Sequence, residues 1–268
     1  MDMSGGAESK EAGGAQSVDR ALSLLSLVGQ GGGRPVSMTA LTDATGLSRP
    51  TVRRLMLALM RAGMVEQDAS SRHYVLGPEI YLLGLMARKR VDVLEAASDS
   101  LLRLAAESED NTYLSVRRGS YAVCAHREEG TYPIRSQALR TGDCHPLGVG
   151  AGAMAMLAAL PEPERAEVLE TITPLLAQGY PGYTPEVVAH SIARSQDRGW
   201  ALNPGLYLPN SWAIGMAIHG PDGEVLGALS IAAIDTRMQE TRQLELAAML
   251  RREVAQVEAR LSKRMHPA

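Results

Sequence analysis

Apolar positions in the first third of the chain recur at helical spacing. Val18, Ala21, Leu22, Leu25 and Val28 form one stripe, and the glycine-rich segment 29–33 ends it. A second, short helix is predicted over Met38–Ala44, closed by Gly46. Ser48 has N-cap chemistry for a third, with Pro50 in the first turn, where a missing N–H costs nothing. That helix carries Val52, Leu55, Leu59 and Ala62 on one side and ends at Gly63. Two short strands, Met64–Gln67 and His73–Leu76, flank a polar turn at 68–72. Another helix starts at Pro78 with Ile80, Leu83 and Leu85, and its basic end at 87–90 predicts a linker over 78–92.

Beyond Asp92 the period changes. A helix is predicted over Val93–Glu107, then strands over Thr112–Arg117, Tyr121–His126 and Ile134–Leu139. Helices follow over Gly150–Leu160, Pro163–Ile172 and Pro185–Arg198. Strands over Ala213–His219 and Leu226–Ala233 flank a turn at 221–224, and a last helix covers Thr241–Arg264. There are too few strand–helix repeats for a doubly wound sheet. The pattern predicts an α+β domain with an antiparallel sheet.

Composition narrows the class. The chain has 268 residues, long enough for two domains, and no apolar run approaches the ~20 residues that cross a bilayer. The first 16 residues have no apolar core, so they predict a disordered tail rather than a secretory signal. Cys124 and Cys144 are the only cysteines, which makes a reducing cytoplasm the expectation. A net charge of −3 excludes a uniformly basic coat, so any nucleic-acid contact must be a local patch.

Such a patch exists. Arg49, Arg53 and Arg54 lie within six residues, and no acid occurs between Gly46 and Val65. Helix, glycine-containing turn and second helix form the helix-turn-helix pattern, whose second helix enters the DNA major groove. Thr42 is small where the helices approach, and Leu41, Leu47, Val52 and Leu55 supply a shared core. Arg49, Pro50, Thr51, Arg53 and Arg54 are left to meet base edges and phosphates. The strand–turn–strand is then the wing, with Arg72 and His73 along the DNA backbone and Ser71 as a neutral donor.

These residues, with the helix at 17–28 and the segment Tyr74–Gly84, resemble the N-terminal domain of the IclR family of bacterial transcription regulators. Segments 146–160, 198–205 and 223–232 follow that family's order, so the resemblance spans about Ser17 to Leu261. It implies a winged helix-turn-helix over 17–77, the linker helix over 78–92 and a GAF-like effector-binding domain over 93–264. It also implies a dimer or dimer of dimers on operator DNA, and control by a small molecule, often a carboxylate from a catabolic pathway. Pro50 stands where the family usually has serine, which removes one contact.

The resemblance places His145, Leu147, Gly148, Val149, Asn203, Ala213, Ser230 and Ala232 around the effector pocket, and Trp212 and Tyr207 lie nearby in sequence. Relatives more often have a cysteine at the Ala213 position and a polar or acidic residue near Asn203. An effector with an aromatic or apolar body and one polar end is therefore expected. The Gly148–Gly152 segment opens a helix whose bare amides favour an anion, whereas Ala153 breaks the dinucleotide fingerprint. Cys124, His126, Cys144 and His145 offer a rival redox- or metal-responsive reading, with Cys124 and His126 on one strand face. Their spacing matches no recognised zinc motif, and no metal or cofactor is expected. Ser115, Ser136 and Ser230 lack a GxSxG context, so no catalytic residue is assigned.

Overall fold

The computed structural model describes residues 8–31, 34–87, 93–134 and 138–265. The chain divides into two compact units, Met1–Arg90 and Val91–Ala268.

In the first unit, α1 (Glu8–Gln30), α2 (Met38–Thr45) and α3 (Arg49–Arg61) enclose Leu24, Val28, Leu41, Val52 and Met56. α1 begins at Glu8, so the tail expected to reach residue 16 is helical from there on, and residues 1–7 lie outside the described residues. Gly46 ends α2 in the left-handed conformation (φ 64°), its N–H donating to the Thr42 carbonyl. An L side chain there costs roughly 1 kcal/mol or more. β1 (Val65–Gln67) and β2 (Tyr74–Leu76) pair antiparallel, and Val36 bridges to Tyr74. α4 (Pro78–Ala87) follows; the expected linker residues 88–92 lie outside the described residues.

The second unit starts with α5 (Val93–Ser108), β3 (Asn111–Arg118), β4 (Tyr121–Glu128), β5 (Cys144–Pro146) and α6 (Ala151–Ala159). It continues through α7 (Glu162–Gly179), α8 (Pro185–Arg198), β6 (Ala201–Pro204), β7 (Ser211–His219), β8 (Val225–Ile234) and α9 (Glu240–Met265). The six strands form one antiparallel sheet, ordered β5-β4-β3-β8-β7-β6. The strand expected over Ile134–Leu139 is not seen at Ile134 or at 138–139, and residues 135–137 lie outside the described residues. The edge strands β5 and β6, three and four residues long, went unread because so few residues show no alternation.

Strand alternation gives the sheet two different faces. Leu114, Ile214, Met216, Ile218, Leu229 and Ile231 pack on α5 and α9. The other face carries small residues: Ala201, Ala213, Gly215, Ala217, Ala228, Ser230 and Ala232. That clears room for α6, which is buried from Ala151 to Ala158. A Cβ on Gly215 would lie 2.7 Å from the Ala151 carbonyl, so only glycine allows this approach.

Candidate functional site

The DNA-facing candidates gather on α3 and the β1–β2 turn. Arg49, Pro50, Arg53 and Arg54 are exposed and Thr51 is half-buried, while Val52, Leu55, Met56 and Leu59 fix the helix from behind. None of the three arginines pairs with a carboxylate among the described residues. Ser48 occupies the N-cap position but spends its hydroxyl on Thr51 Oγ1 at 2.9 Å rather than on a backbone amide. The first amides of α3 therefore stay unsatisfied beside Arg49.

The turn corrects one expectation. Ser71 is not a free donor: its amide and its hydroxyl both donate to Asp68 Oδ1, each at 2.7 Å. Ser70 adds a third bond to the same oxygen, and together these bonds hold the Asp68 carboxyl well below the usual range. The acid closes the turn and puts Arg72 in a left-handed conformation (φ 60°) with its side chain exposed. His73 is half-buried at the foot of β2.

The second site is a cavity of about 40 Å3 on the small-residue face of the sheet, at the N-terminus of α6. It brings together six of the nine expected effector residues: His145, Val149, Asn203, Ala213, Ser230 and Ala232. Asn203, Ala213 and Ala232 are register partners across β6, β7 and β8.

Three expected residues fall elsewhere. Trp212 precedes Ala213 on β7, so alternation turns it to the opposite face, against the α5–α9 core. Leu147 is fully buried in the cluster formed with α6 and α7. Gly148, at φ 95°, shapes the loop and meets Leu157 rather than the cavity.

Residues missed in the sequence include Tyr113, Ser115 and Cys124. Tyr113 pairs with Ser230, and Cys124 pairs with Ser115, so strand parity would have found them once the pairing was known. No Lys, Arg, Asp or Glu is among the described lining residues. The polar groups are dipoles instead: the free amides that open α6, and the hydroxyls of Ser115 and Ser230, neither of which has a hydrogen-bond partner among the described residues.

Two tyrosines bond residues of this lining. The Tyr183 hydroxyl accepts from the Gly150 N–H at 3.0 Å and donates to Asn203 Oδ1 at 3.3 Å. The Tyr180 hydroxyl meets His145 Nδ1 at 3.1 Å. His145 also stands edge-on to the Tyr207 ring, 4.8 Å between centroids. Burial lowers the His145 pKa, keeping the ring neutral at pH 7, and its Nε2 is buried without a partner.

The cysteine constellation does not assemble. Cys144 pairs with Val123, which puts it on the face opposite Cys124. A register shift sets Cys124 opposite Ser115 and His126 opposite Leu114, so those two do not share a face as expected. Burial, aided by Asp143, pushes the Cys124 thiol up to about 12, leaving little thiolate. Among the described residues no group of three or more His, Cys, Asp or Glu could hold a metal.

Residues 17–69 match the IclR helix-turn-helix domain, and residues 86–259 match the bacterial transcriptional regulator IclR C-terminal domain. The chain belongs to the IclR family. IclR-family relatives include the HTH-type transcriptional regulator KipR of Bacillus subtilis, 28% identical over 77% of this chain and 82% of its own. The HTH-type transcriptional repressor AllR of Escherichia coli K12 is 24% identical over 95% and 93%. Among solved structures, a putative IclR regulator from Silicibacter sp. TM1040 superposes with a TM-score of 0.77 at 24% identity, covering 91% of this chain and 96% of that one. An IclR homolog from Microbacterium hydrocarbonoxydans, complexed with 4-hydroxybenzoate, gives 0.68 at 19% identity, covering 89% and 98%. These structures share the fold of this chain. It is a transcription regulator, not an enzyme, with a helix-turn-helix DNA-binding domain and a C-terminal effector domain. Among the described residues no helix is long and apolar enough to cross a membrane.

Proposed function

We propose that this IclR-family chain controls a catabolic operon. In this reading it binds operator DNA through Arg49, Pro50, Thr51, Arg53, Arg54, Arg72 and His73, and its effector sits in the cavity at the start of α6. The observation that carries the effector half is the set of unpartnered dipoles there: the Ser115 and Ser230 hydroxyls, His145 Nε2 and the opening amides of α6. Helix-start amides favour an anion without a fixed countercharge. The Tyr113, Cys124, Ala213 and Ala232 surface suits an aromatic or apolar body. An aromatic monocarboxylate with a neutral polar group for His145 meets both demands. 4-Hydroxybenzoate, held by the Microbacterium relative, is the first compound to try.

The DNA half rests on the arginine face that has no acid beside it. The apolar surface of α4 supports a dimer: Tyr81 and Met86 are 69% and 76% exposed. A dimer sets the spacing of two recognition helices on a pseudo-palindromic site. An effector that favours one dimer arrangement then shifts operator affinity by its differential binding.

Fluorescence anisotropy on the DNA upstream of the gene tests both halves. Tight, salt-sensitive binding that is lost in a folded Arg53→Ala/Arg54→Ala double variant supports the DNA reading. A shift in affinity on adding 4-hydroxybenzoate supports the effector reading. Equal binding by wild type and double variant would overturn the arginine assignment.

A further inference from the structure

A groove of about 660 Å3 runs between α7 and α8, within the range of pockets that bury small molecules. Its walls are apolar, with Leu169, Leu176, Val188 and Ile192 contributing. The polar side chains at its far end are already engaged. Arg165 donates to the Leu160 carbonyl at 2.7 Å and Gln196 donates to the Ala158 carbonyl at 3.0 Å, which caps the end of α6. The groove therefore offers apolar contact and little else.

The cavity has the opposite character. It is rich in unpartnered dipoles, and its void of about 40 Å3 is far smaller than the groove. Tyr180 and Tyr183 connect the two spaces. Their side chains line the groove, while their hydroxyls bond His145, Gly150 and Asn203 on the cavity side. Both tyrosines sit on the short connection between α7 and α8. The two rings stand between these spaces, and a shift of either one joins them.

We infer that the effector site continues past Tyr180 and Tyr183 into the α7–α8 groove, and that the effector is an amphiphile, with a polar head in the cavity and an extended apolar tail in the groove. This rests on the reading of the cavity as the effector site. The ligand's affinity then comes mostly from the tail, and its orientation from the head.

Benzoate, 4-butylbenzoate and 4-octylbenzoate are matched probes for calorimetric titration of the full chain. Each methylene that enters the groove raises affinity about fourfold. The butyl compound is expected to bind at least tenfold more tightly than benzoate. Ala189 and Ala193 are exposed on α8 and line the groove, so Ala193→Trp or Ala189→Trp fills it without touching the cavity. Either variant is expected to keep benzoate affinity within twofold and to lose the gain from the alkyl chain. Benzoate binding with no gain from the tail, or a gain that persists in both tryptophan variants, overturns the extension while leaving the cavity reading in place. A wild-type protein that binds none of the three overturns both.

Discussion

The Tyr183 hydroxyl holds two groups at the rim of the cavity, the Gly150 N–H and Asn203 Oδ1, and its ring is buried. Tyr183→Phe leaves the Gly150 amide unpaired, which costs about 1–3 kcal/mol. For a protein of this size that lowers Tm by roughly 2–4 °C per kcal/mol, and a calorimetric scan of the variant would show it. An unchanged Tm would mean that the amide finds another acceptor. The arginines make a separate prediction at the same scale. Where Arg49 or Arg53 meets a phosphate, its alanine variant lowers the slope of log K against log salt by about 0.9 and weakens all sequences alike. Where it reads guanine, discrimination at one position falls by ~1–3 kcal/mol instead. Titrations on operator and scrambled DNA at several salt concentrations separate the two.

At the scale of elements, the approach of α6 to the sheet depends on Gly215, whose added Cβ would strike the Ala151 backbone. Gly215→Ala is expected to destabilise the second unit by about 1–3 kcal/mol, measured by urea unfolding. The junction of β7 with α9 titrates. Both the His219 ring and its amide bond Glu258 Oε1, and the ring bond raises the His219 pKa above its ordinary 6.5. Burial would raise the Glu258 carboxyl, but the bonds from His219 outweigh it and hold it below 4.5. The histidine's contribution is complete below about pH 6.5 and is lost as pH rises through its raised folded value; the glutamate's is complete above about pH 4.5 and is lost on acidification. The stability difference between wild type and His219→Gln should therefore shrink from pH 6 to pH 8. A difference that does not vary with pH would sink the assignment. Elements were legible in proportion to their length and periodicity. α3, α5 and α8 could be read from spacing and caps, whereas β5 and β6 were too short to alternate. The cavity was half legible: the family pattern located Asn203, Ala213 and Ser230, whereas Trp212, included for its nearness in sequence, faces away because adjacent strand residues point opposite ways. Tyr180 and Tyr183 were missed because what places them is tertiary, a loop folded back onto the start of α6.

For the whole molecule, the proposed dimer on operator DNA needs a surface between copies, and among the described residues α4 is the candidate for it. Tyr81, Leu82, Leu83, Leu85 and Met86 are all exposed on this ten-residue helix, which is apolar all round rather than along one stripe. Such a helix is stable in water only when covered, and Val18 and Leu22 leave α1 with exposed apolar positions as well. In the proposed dimer a second copy would supply identical surfaces and close the assembly with two-fold symmetry. Such a dimer would also turn two weak half-site contacts into one strong one, because the second head would bind at the effective concentration set by the first. Tyr81→Glu/Met86→Glu places two charges in that surface and alters no residue of the first unit's buried core. The double variant is expected to sediment as a monomer at concentrations where wild type is dimeric, with circular dichroism unchanged. Its operator affinity should fall at least tenfold, while its affinity for a single half-site stays within about twofold of wild type. A variant that remains dimeric would move the interface away from α4. A monomer that still binds the full operator as tightly as wild type would mean that one recognition helix suffices.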